Sequence, residues 1–324
     1  MAQKIAKIDL IGRKILYELD KNARVPTSEI AKKLRKSKQF IDYRIKKLTE
    51  EKIILGYNTI VDISTLGYCA FRINLKLKSI TEEERGNMIK QMVADMEPWW
   101  YGHAEGVWNV CYAIALRSVD DFNKYWEKIL KRHGHLFKDY SVIYYRNLIW
   151  YPSKFLIDDT KNEMQYSLLS RGPVKIDDTD KKILKAISKN ARFSYLDLEK
   201  KLNISRGMVK RRIEALEKRK VIVGYKIWFN EKKLGYRFYK TYLKFTRWDE
   251  YNKLYEYCKK NPYMITVNKT IGGADFEIEL KAKGLEHFEA VMEDLLKTFP
   301  GMIESYEFVA FKTEDKMVFL PDDF

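Results

Sequence analysis

Apolar residues in the first 57 positions recur at intervals of three and four, as they do along one face of an amphipathic helix. The first such face carries Ile8, Ile11, Ile15, Leu16 and Leu19. Asn22 and Pro26 interrupt the pattern, and TSEIAKKL then predicts a short second helix capped by Thr27 or Ser28. Ser37 is placed to cap a third helix, KQFIDYRIKKLTEEK. Its inner face would carry Ile41, Ile45 and Leu48. Two short helices joined by a tight turn predict a helix-turn-helix.

From residue 66 onward the pattern changes to the alternation that is typical of half-buried strands, first in FRINLKLK at 71–78. Helical TEEERGNMIKQMVADM follows, then strands around WWYGHAEG and WNVCYAIAL, a helix from Val119 to His133, and a strand in YSVIYYRNLIWY. This β-α-β-β-α-β order predicts a ferredoxin-like antiparallel sheet with both helices on one face. The uncovered face is rich in aromatic residues, so we expect it to pack against another sheet, within the chain or between chains.

The whole pattern occurs twice. KNAR stands at 21–24 and again at 189–192, and 24 of the 62 positions in 7–68 are identical to those in 175–236. A repeat of this length indicates an internal duplication, and we refer to residues 1–157 as copy one and to 175–324 as copy two. The predicted fold class is α+β, with two winged helix-turn-helix domains alternating with two ferredoxin-like domains. The predicted boundaries are 1–60, 66–157, a linker at 158–174, 175–228 and 234–324.

In copy two the third helix would be RGMVKRRIEALEKRK, with Ser205 as its cap. Its inner face would carry Val209, Ile213 and Leu216.

The net charge of +16 is concentrated in the two helix-turn-helix segments. Residues 1–57 hold 15 Lys and Arg against 7 Asp and Glu, and residues 171–225 hold 16 against 7. These segments therefore carry +8 and +9, which leaves −1 for the rest of the chain. A polyanionic partner such as double-stranded DNA explains this distribution better than a generally charged surface does.

The remaining composition narrows the class of protein. The three cysteines are far apart and fit neither a disulfide framework nor a metal cluster. The sequence has no long apolar run that would predict a membrane span or a signal peptide. We therefore expect a cytoplasmic protein without a metal or cofactor.

The outward positions of the two third helices are the candidate DNA contacts. Gln and Arg can pair with adenine and guanine edges, whereas Lys more often contacts phosphate. Arg44 and Arg212 lie one turn further along and would contact phosphate. For each single residue, a merely solvated helix face is the alternative. The candidates are Lys38, Gln39, Asp42, Tyr43, Arg44, Lys46 and Lys47 in copy one, and Arg206, Gly207, Lys210, Arg211, Arg212 and Lys218 in copy two.

The chain resembles the Lrp/AsnC family of transcriptional regulators. The resemblance rests on KNAR, on S-x-x-x-I/V-x-x-R-I-x-x-L at Ser37–Leu48 and Ser205–Leu216, and on I-I-x-G-Y and V-I-x-G-Y after them. It implies a sequence-specific regulator whose two copies form a covalently linked pseudo-dimer on two half-sites. It also implies a small effector, such as an amino acid, in the sheet domains, and further assembly into a homo-oligomer through the sheet faces.

The family's G-x-x-D turn marks the candidate effector site. Copy two has Gly272, Gly273 and Asp275 there, whereas copy one has Gly106 and Asn109. The alternative is that these glycines only form tight turns.

Two other functions share this architecture. Siroheme decarboxylases have the same fold, so fold alone does not exclude an enzyme. The charge on the helix-turn-helix units favours a regulator, and an architectural DNA-binding protein would differ from a regulator only in specificity.

Overall fold

The predicted element order is present in both copies. The computed structural model describes residues 5–96, 98–317, 319–321 and 324, without the side chains of 315–317. In copy one the helix-turn-helix unit has α1 (Leu10–Lys21), α2 (Thr27–Leu34) and α3 (Lys38–Glu50), followed by β1 (Ile54–Val61). The sheet domain has β2 (Cys69–Leu77), α4 (Glu82–Asp95), β3 (Trp100–Gly106), β4 (Val110–Leu116), α5 (Val119–His133) and β5 (Phe137–Trp150).

A short strand, β6 (Tyr166–Leu168), separates the copies. Copy two then has α6 (Asp178–Lys189), α7 (Tyr195–Leu202), α8 (Arg206–Lys218) and β7 (Ile222–Phe229). Its sheet domain has β8 (Arg237–Phe245), α9 (Tyr251–Lys260), β9 (Met264–Ile271), β10 (Phe276–Ala282), α10 (Leu285–Thr298) and β11 (Ile303–Met317). Single 3₁₀ turns lie at Ile63–Leu66, Gly134–Leu136, Lys154–Leu156 and Glu231–Leu234. The α+β fold class is confirmed.

The strand that follows each third helix pairs with its counterpart in the other copy. β1 and β7 form an antiparallel ribbon in which Tyr57 lies opposite Ile227 and Thr59 lies opposite Tyr225. The ribbon therefore joins the two helix-turn-helix units directly.

The two four-stranded sheets close into one barrel. The strand order is β2-β4-β3-β11-β8-β10-β9-β5, and β5 pairs back onto β2. The junctions between copies are β3 with β11 and β5 with β9. Closure gives every strand of the barrel a neighbour on both sides, which removes open sheet edges.

The helices cover the outside of the barrel. In copy one, Phe71, Ile73 and Leu75 pack with Phe122 and Ile129 of α5 in one buried cluster. Fully burying side chains of this kind contributes about 1.5–3 kcal/mol each. The alternate residues of β2, Arg72 and Asn74, are also buried, because they face the barrel interior.

The sheets of the two copies therefore pack together within one chain, as the aromatic faces led us to expect. Those faces enclose the barrel interior and are covered within the chain, and assembly into a homo-oligomer stays a prediction.

The predicted linker at 158–174 is packed against copy one and contributes a strand. β6 pairs with β5, and Tyr166 and Leu168 are buried. The Tyr17 hydroxyl donates to Asp159 at 2.7 Å, and the Val174 amide donates to the Thr65 carbonyl at 2.8 Å. The linker is therefore held in place, because apolar side chains in this segment find buried positions beside the ribbon. Across the described residues, every helix is too short or too polar to cross a membrane.

Candidate nucleic-acid interface

A tight left-handed turn precedes each third helix. Arg35, the residue after α2, has φ 52°, and Asn203, the residue after α7, has φ 55°. One residue in this conformation reverses the chain direction, and asparagine tolerates it better than most residues do. Both copies therefore have helix-turn-helix geometry, as the sequence predicted.

The third helices bury one face and expose the other. In α3, Ile41 and Leu48 are buried and Ile45 is half-buried. In α8, Val209, Ile213 and Leu216 are completely buried. The exposed candidates are Lys38, Gln39, Asp42, Tyr43, Lys46 and Lys47 in α3, and Arg206, Gly207, Lys210, Arg211 and Lys218 in α8.

The caps of these helices differ between the copies. The Ser37 hydroxyl accepts a hydrogen bond from the Phe40 amide at 3.1 Å, so the predicted cap is confirmed. Ser205 occupies the same position but makes no such bond. Instead, the Arg206 amide donates to Glu199 at 2.9 Å.

The predicted cap of α2 is wrong. The capping position is Pro26, and α2 makes no side-chain cap. In copy two the equivalent helix begins with a capping box between Ser194 and Asp197.

Arg44 and Arg212 each have a partner within their own domain. Arg44 donates to Asp9 at 3.0 Å, and Arg212 donates to Asp177 at 2.6 Å. Both aspartates cap the first helix of their unit, so each arginine ties the third helix to the first. The hydrogen bond from Arg44 lowers the pKa of Asp9. This internal role weakens the prediction that these two arginines contact phosphate.

Most other ion pairs on the third helices are exposed and one turn apart. Lys38 lies 4.0 Å from Asp42, and Lys210 lies 3.8 Å from Glu214. Pairs of this kind contribute at most about 1 kcal/mol and are screened by salt. A phosphate can therefore compete for these lysines.

The repeated KNAR segments contact each other across the approximate two-fold relation between copies. Arg24 donates to the Ala191 carbonyl at 2.6 Å, and Arg192 donates to the Ala23 carbonyl at 3.3 Å. Two backbone hydrogen bonds also join the copies. The Ala23 amide donates to the Tyr225 carbonyl at 2.9 Å, and the Ala191 amide donates to the Tyr57 carbonyl at 2.8 Å. These arginines were not among the candidate residues, although the repetition of KNAR was the signal that marked them.

The candidate effector turns use their polar side chains internally. Asn109 accepts from the Leu77 amide at 2.8 Å, and Asp275 accepts from the Phe245 amide at 2.9 Å. Gly106, Gly272 and Gly273 have φ of 121°, 80° and 91°, which favours glycine. The turn geometry thus accounts for these residues, and effector binding by them stays a prediction.

A cavity of about 100 Å³ lies between the barrel and the β1–β7 ribbon. Two buried lysines border it. Lys226 pairs with Asp20 at 3.0 Å, and Lys281 pairs with Glu314 at 3.1 Å. None of the described residues that line the cavity is a histidine. Its aromatic lining comprises Trp99, Trp100, Tyr145, Trp150, Trp228, Phe229, Phe238 and Phe319.

The side chains that the structure describes contain no group of three His, Cys, Asp or Glu residues that could hold a metal ion. His133 is buried on α5, and burial lowers its pKa. His287 accepts a hydrogen bond from the Lys283 amide.

Comparisons with known proteins agree with the two-domain repeat. A model described as winged helix-turn-helix DNA-binding matches residues 8–54 and 176–223. The HTH-type transcriptional regulator LrpA of Pyrococcus horikoshii is 49% identical over 61 residues, which are 19% of this chain and 43% of that protein. The regulatory protein AsnC of Haemophilus influenzae is 40% identical over 80 residues, 24% of this chain and 53% of that protein. These alignments span about half the length of each relative.

One solved structure resembles nearly the entire chain. The crystal structure of the siroheme decarboxylase NirDL superposes with a TM-score of 0.61 at 16% identity. The superposition covers 95% of this chain and 93% of that chain. This similarity concerns the fold, including the order of the duplicated domains.

Proposed function

We propose that this chain, which belongs to the Lrp/AsnC family as an internal duplication of the family's unit, is a DNA-binding transcriptional regulator. In this proposal α3 and α8 each enter a major groove of the same duplex. The observation that carries it is the concentration of +8 and +9 on the two segments that contain these exposed helices. Its relatives are named as transcriptional regulators, which supports the same function.

Different exposed residues would have different roles. Gln39 and Arg206 lie in the first turns of their helices, which reach base edges in a helix-turn-helix. Lys46, Lys47 and Lys218 lie further along and would contact phosphates.

The contacts between the two helix-turn-helix units support their binding to DNA as a single unit. The β1–β7 ribbon and the reciprocal KNAR contacts join them, and the single chain raises their effective local concentration to about millimolar. Paired units of this kind bind half-sites one or more turns apart, with ~34 Å per turn. Since α3 and α8 differ in sequence, the two half-sites should differ too.

The test is a salt titration of binding to a labelled random duplex, repeated with a mixture of amino acids. Affinity should fall on the order of 10³-fold between 50 and 200 mM salt if about six phosphates are contacted. A change in affinity with amino acids would support an effector. Absence of binding at low salt would contradict the proposed function. Equal affinity for every sequence in competition would favour an architectural protein.

A tetrapyrrole-modifying enzyme is the second candidate, because the fold of a siroheme decarboxylase matches almost the whole chain. The cavity between barrel and ribbon would be the substrate site of such an enzyme. Its volume of about 100 Å³ is below the ~300–1,000 Å³ of typical ligand pockets. Saturable binding of an iron porphyrin, seen as a shift in its absorption band, together with no binding to DNA would favour the enzyme.

A further inference from the structure

A cluster of four buried charges joins the two copies inside the barrel. Arg72 of β2 donates two hydrogen bonds to Glu277 of β10, at 2.7 and 2.5 Å. Lys240 of β8 lies 2.6 Å from Glu279 and 3.3 Å from Glu277. The side chains of Arg72, Lys240 and Glu277 are completely buried, and that of Glu279 is 14% exposed. We call these four residues the barrel quartet.

Strand register shows which residues are equivalent in the two copies. Lys240 lies opposite Glu279, and Tyr242 lies opposite Glu277. In copy one, Arg72 lies opposite Ala113, and Asn74 lies opposite Cys111. Each copy therefore supplies a cation from its first strand, but copy two alone supplies the acids.

The quartet is electrically balanced only when unlike copies pair. Copy one contributes +1, from Arg72, and copy two contributes −1, from Lys240, Glu277 and Glu279. A barrel of two copies of type one would bury two arginines without an acid, and a barrel of two copies of type two would bury a surplus of two acids. Unpaired charge in a dry interior is strongly destabilising. Lys281 needs no acid from copy one, because it pairs with Glu314 and Glu231 of its own copy.

A second buried ion pair, outside the barrel, also has one partner in each copy. Asp20 of α1 accepts a hydrogen bond from Lys226 of β7 at 3.0 Å, and both side chains are buried. At the repeat offset, Ser188 corresponds to Asp20, and Asn58 corresponds to Lys226. A pairing of like copies would thus leave two aspartates or two lysines without their partner.

We propose that these buried charges select the pairing of unlike copies, so that the sheet of copy one accepts the sheet of copy two and rejects a second copy of itself. The surface is the barrel interior, and its partner is a sheet with one more acid than cation. Charge imbalance of this kind discriminates against the wrong partner. This selection concerns assembly of the chain and is independent of DNA binding.

The experiment removes the tether from the folded protein. A protease site is inserted after Met164, which lies in an exposed stretch, and the folded chain is cut there. The two halves are then unfolded together, refolded and weighed by native mass spectrometry, which distinguishes all three pairings. Halves with the natural charges should form the unlike pair alone.

The decisive variant neutralises the quartet and the second pair together, with Arg72→Met, Lys240→Met, Glu277→Gln, Glu279→Gln, Asp20→Asn and Lys226→Met. Like pairs should then appear in amounts comparable to the unlike pair. The matched control neutralises an exposed pair on α5, with Lys131→Met and Glu127→Gln, and it should keep the unlike pair alone.

Three results would overturn the proposal. They are like pairs with the natural charges, unlike pairs alone in the neutral variant, and failure of the neutral variant to refold, since matched removal of buried partners should leave the barrel foldable. A gain-of-pairing variant provides an independent check. Cys111→Glu places an acid near Arg72 and Lys240. Burial raises the pKa of the Cys111 thiol to about 12, and these two cations oppose that rise. Combined with Asp20→Asn, which removes the other unpaired buried charge, this variant should allow pairs of copy one with itself.

Discussion

Copy one and copy two form the same helices and the same sheet, yet the side chains at equivalent positions differ in their charge and in their hydrogen bonds. Cys111 and Ala113 face the barrel interior in copy one, where copy two has Glu277 and Glu279. Ser37 caps α3, whereas Ser205 leaves the equivalent role to Glu199. Two separate, identical chains could not differ in this way. Joining the copies in one chain has allowed each to take a role that the other lacks.

The largest difference should appear in the barrel interior. Glu277→Gln leaves Arg72 and Lys240 with one acid between them, and it should lower the free energy of unfolding by about 3–5 kcal/mol. Cys111→Ala, at the equivalent position of copy one, should cost about 1 kcal/mol, because it removes only a small apolar group. Denaturant unfolding of both variants measures the difference. Equal losses would mean that the charge at this position contributes nothing beyond packing.

The next difference concerns DNA affinity. Replacing Arg206, Lys210 and Arg211 with Ala in α8 should weaken binding on the order of 100-fold and reduce the salt slope by about 3. The equivalent change of Lys38, Lys46 and Lys47 in α3 should weaken it less. Each of those three lysines has an acid one turn along its own helix.

The control for this comparison lies in the sheet domain. Replacing Lys253, Lys259 and Lys260 of α9 with Ala removes the same charge from the sheet domain of copy two. Salt-dependent titration should show nearly unchanged affinity. An equal loss in all three variants would indicate attraction by net charge alone.

The third difference concerns two equivalent glycines of the β1–β7 ribbon, and it should amount to about 1–3 kcal/mol in the free energy of unfolding. A Cβ at Gly224 would collide with the buried Tyr166 ring, whereas the space around Gly56 is open. Gly224→Ala should therefore destabilise the protein by that amount. Gly56→Ala should be neutral or stabilise it by up to about 1 kcal/mol, because alanine suits a strand better. Thermal unfolding of the two variants measures both changes in stability. Equal changes would show that the Tyr166 segment is not tightly packed.

The smallest difference is in helix capping. Ser37→Ala removes the hydrogen bond to the Phe40 amide and should cost about 1 kcal/mol. Ser205→Ala should cost only a few tenths, because Ser205 makes no cap bond. Similar losses at both positions, measured by denaturant unfolding, would contradict the capping geometry.

The sequence predicted the local elements well, and long-range pairing accounts for what it missed. The spacing of Ile41, Ile45 and Leu48 reports directly which face of α3 is buried, because helical periodicity and burial share one geometry. Alternation in β2 marked Arg72 as facing away from the helices. It could not distinguish water from the inside of a barrel, since closure depends on the two junctions between copies, whose strands are more than 100 residues apart in sequence.

The same limit applies to the candidate contact residues. Exposure of Lys46 or Arg211 follows from position on the helix, whereas the bond between Arg44 and Asp9 joins residues 35 positions apart. The KNAR contact shows the same limit. Arg24 and Arg192 each bind the backbone of the other copy, and the repeated letters marked these residues without showing that they meet.

The most direct test of the two-unit regulator is selection of preferred sites from a random DNA pool by the intact chain. The account predicts a consensus with two different half-sites, separated by one or more turns of about 34 Å. The half-sites should differ because Asp42 of α3 corresponds to Lys210 of α8. A single half-site, a perfect palindrome, or a pool without enrichment would contradict it.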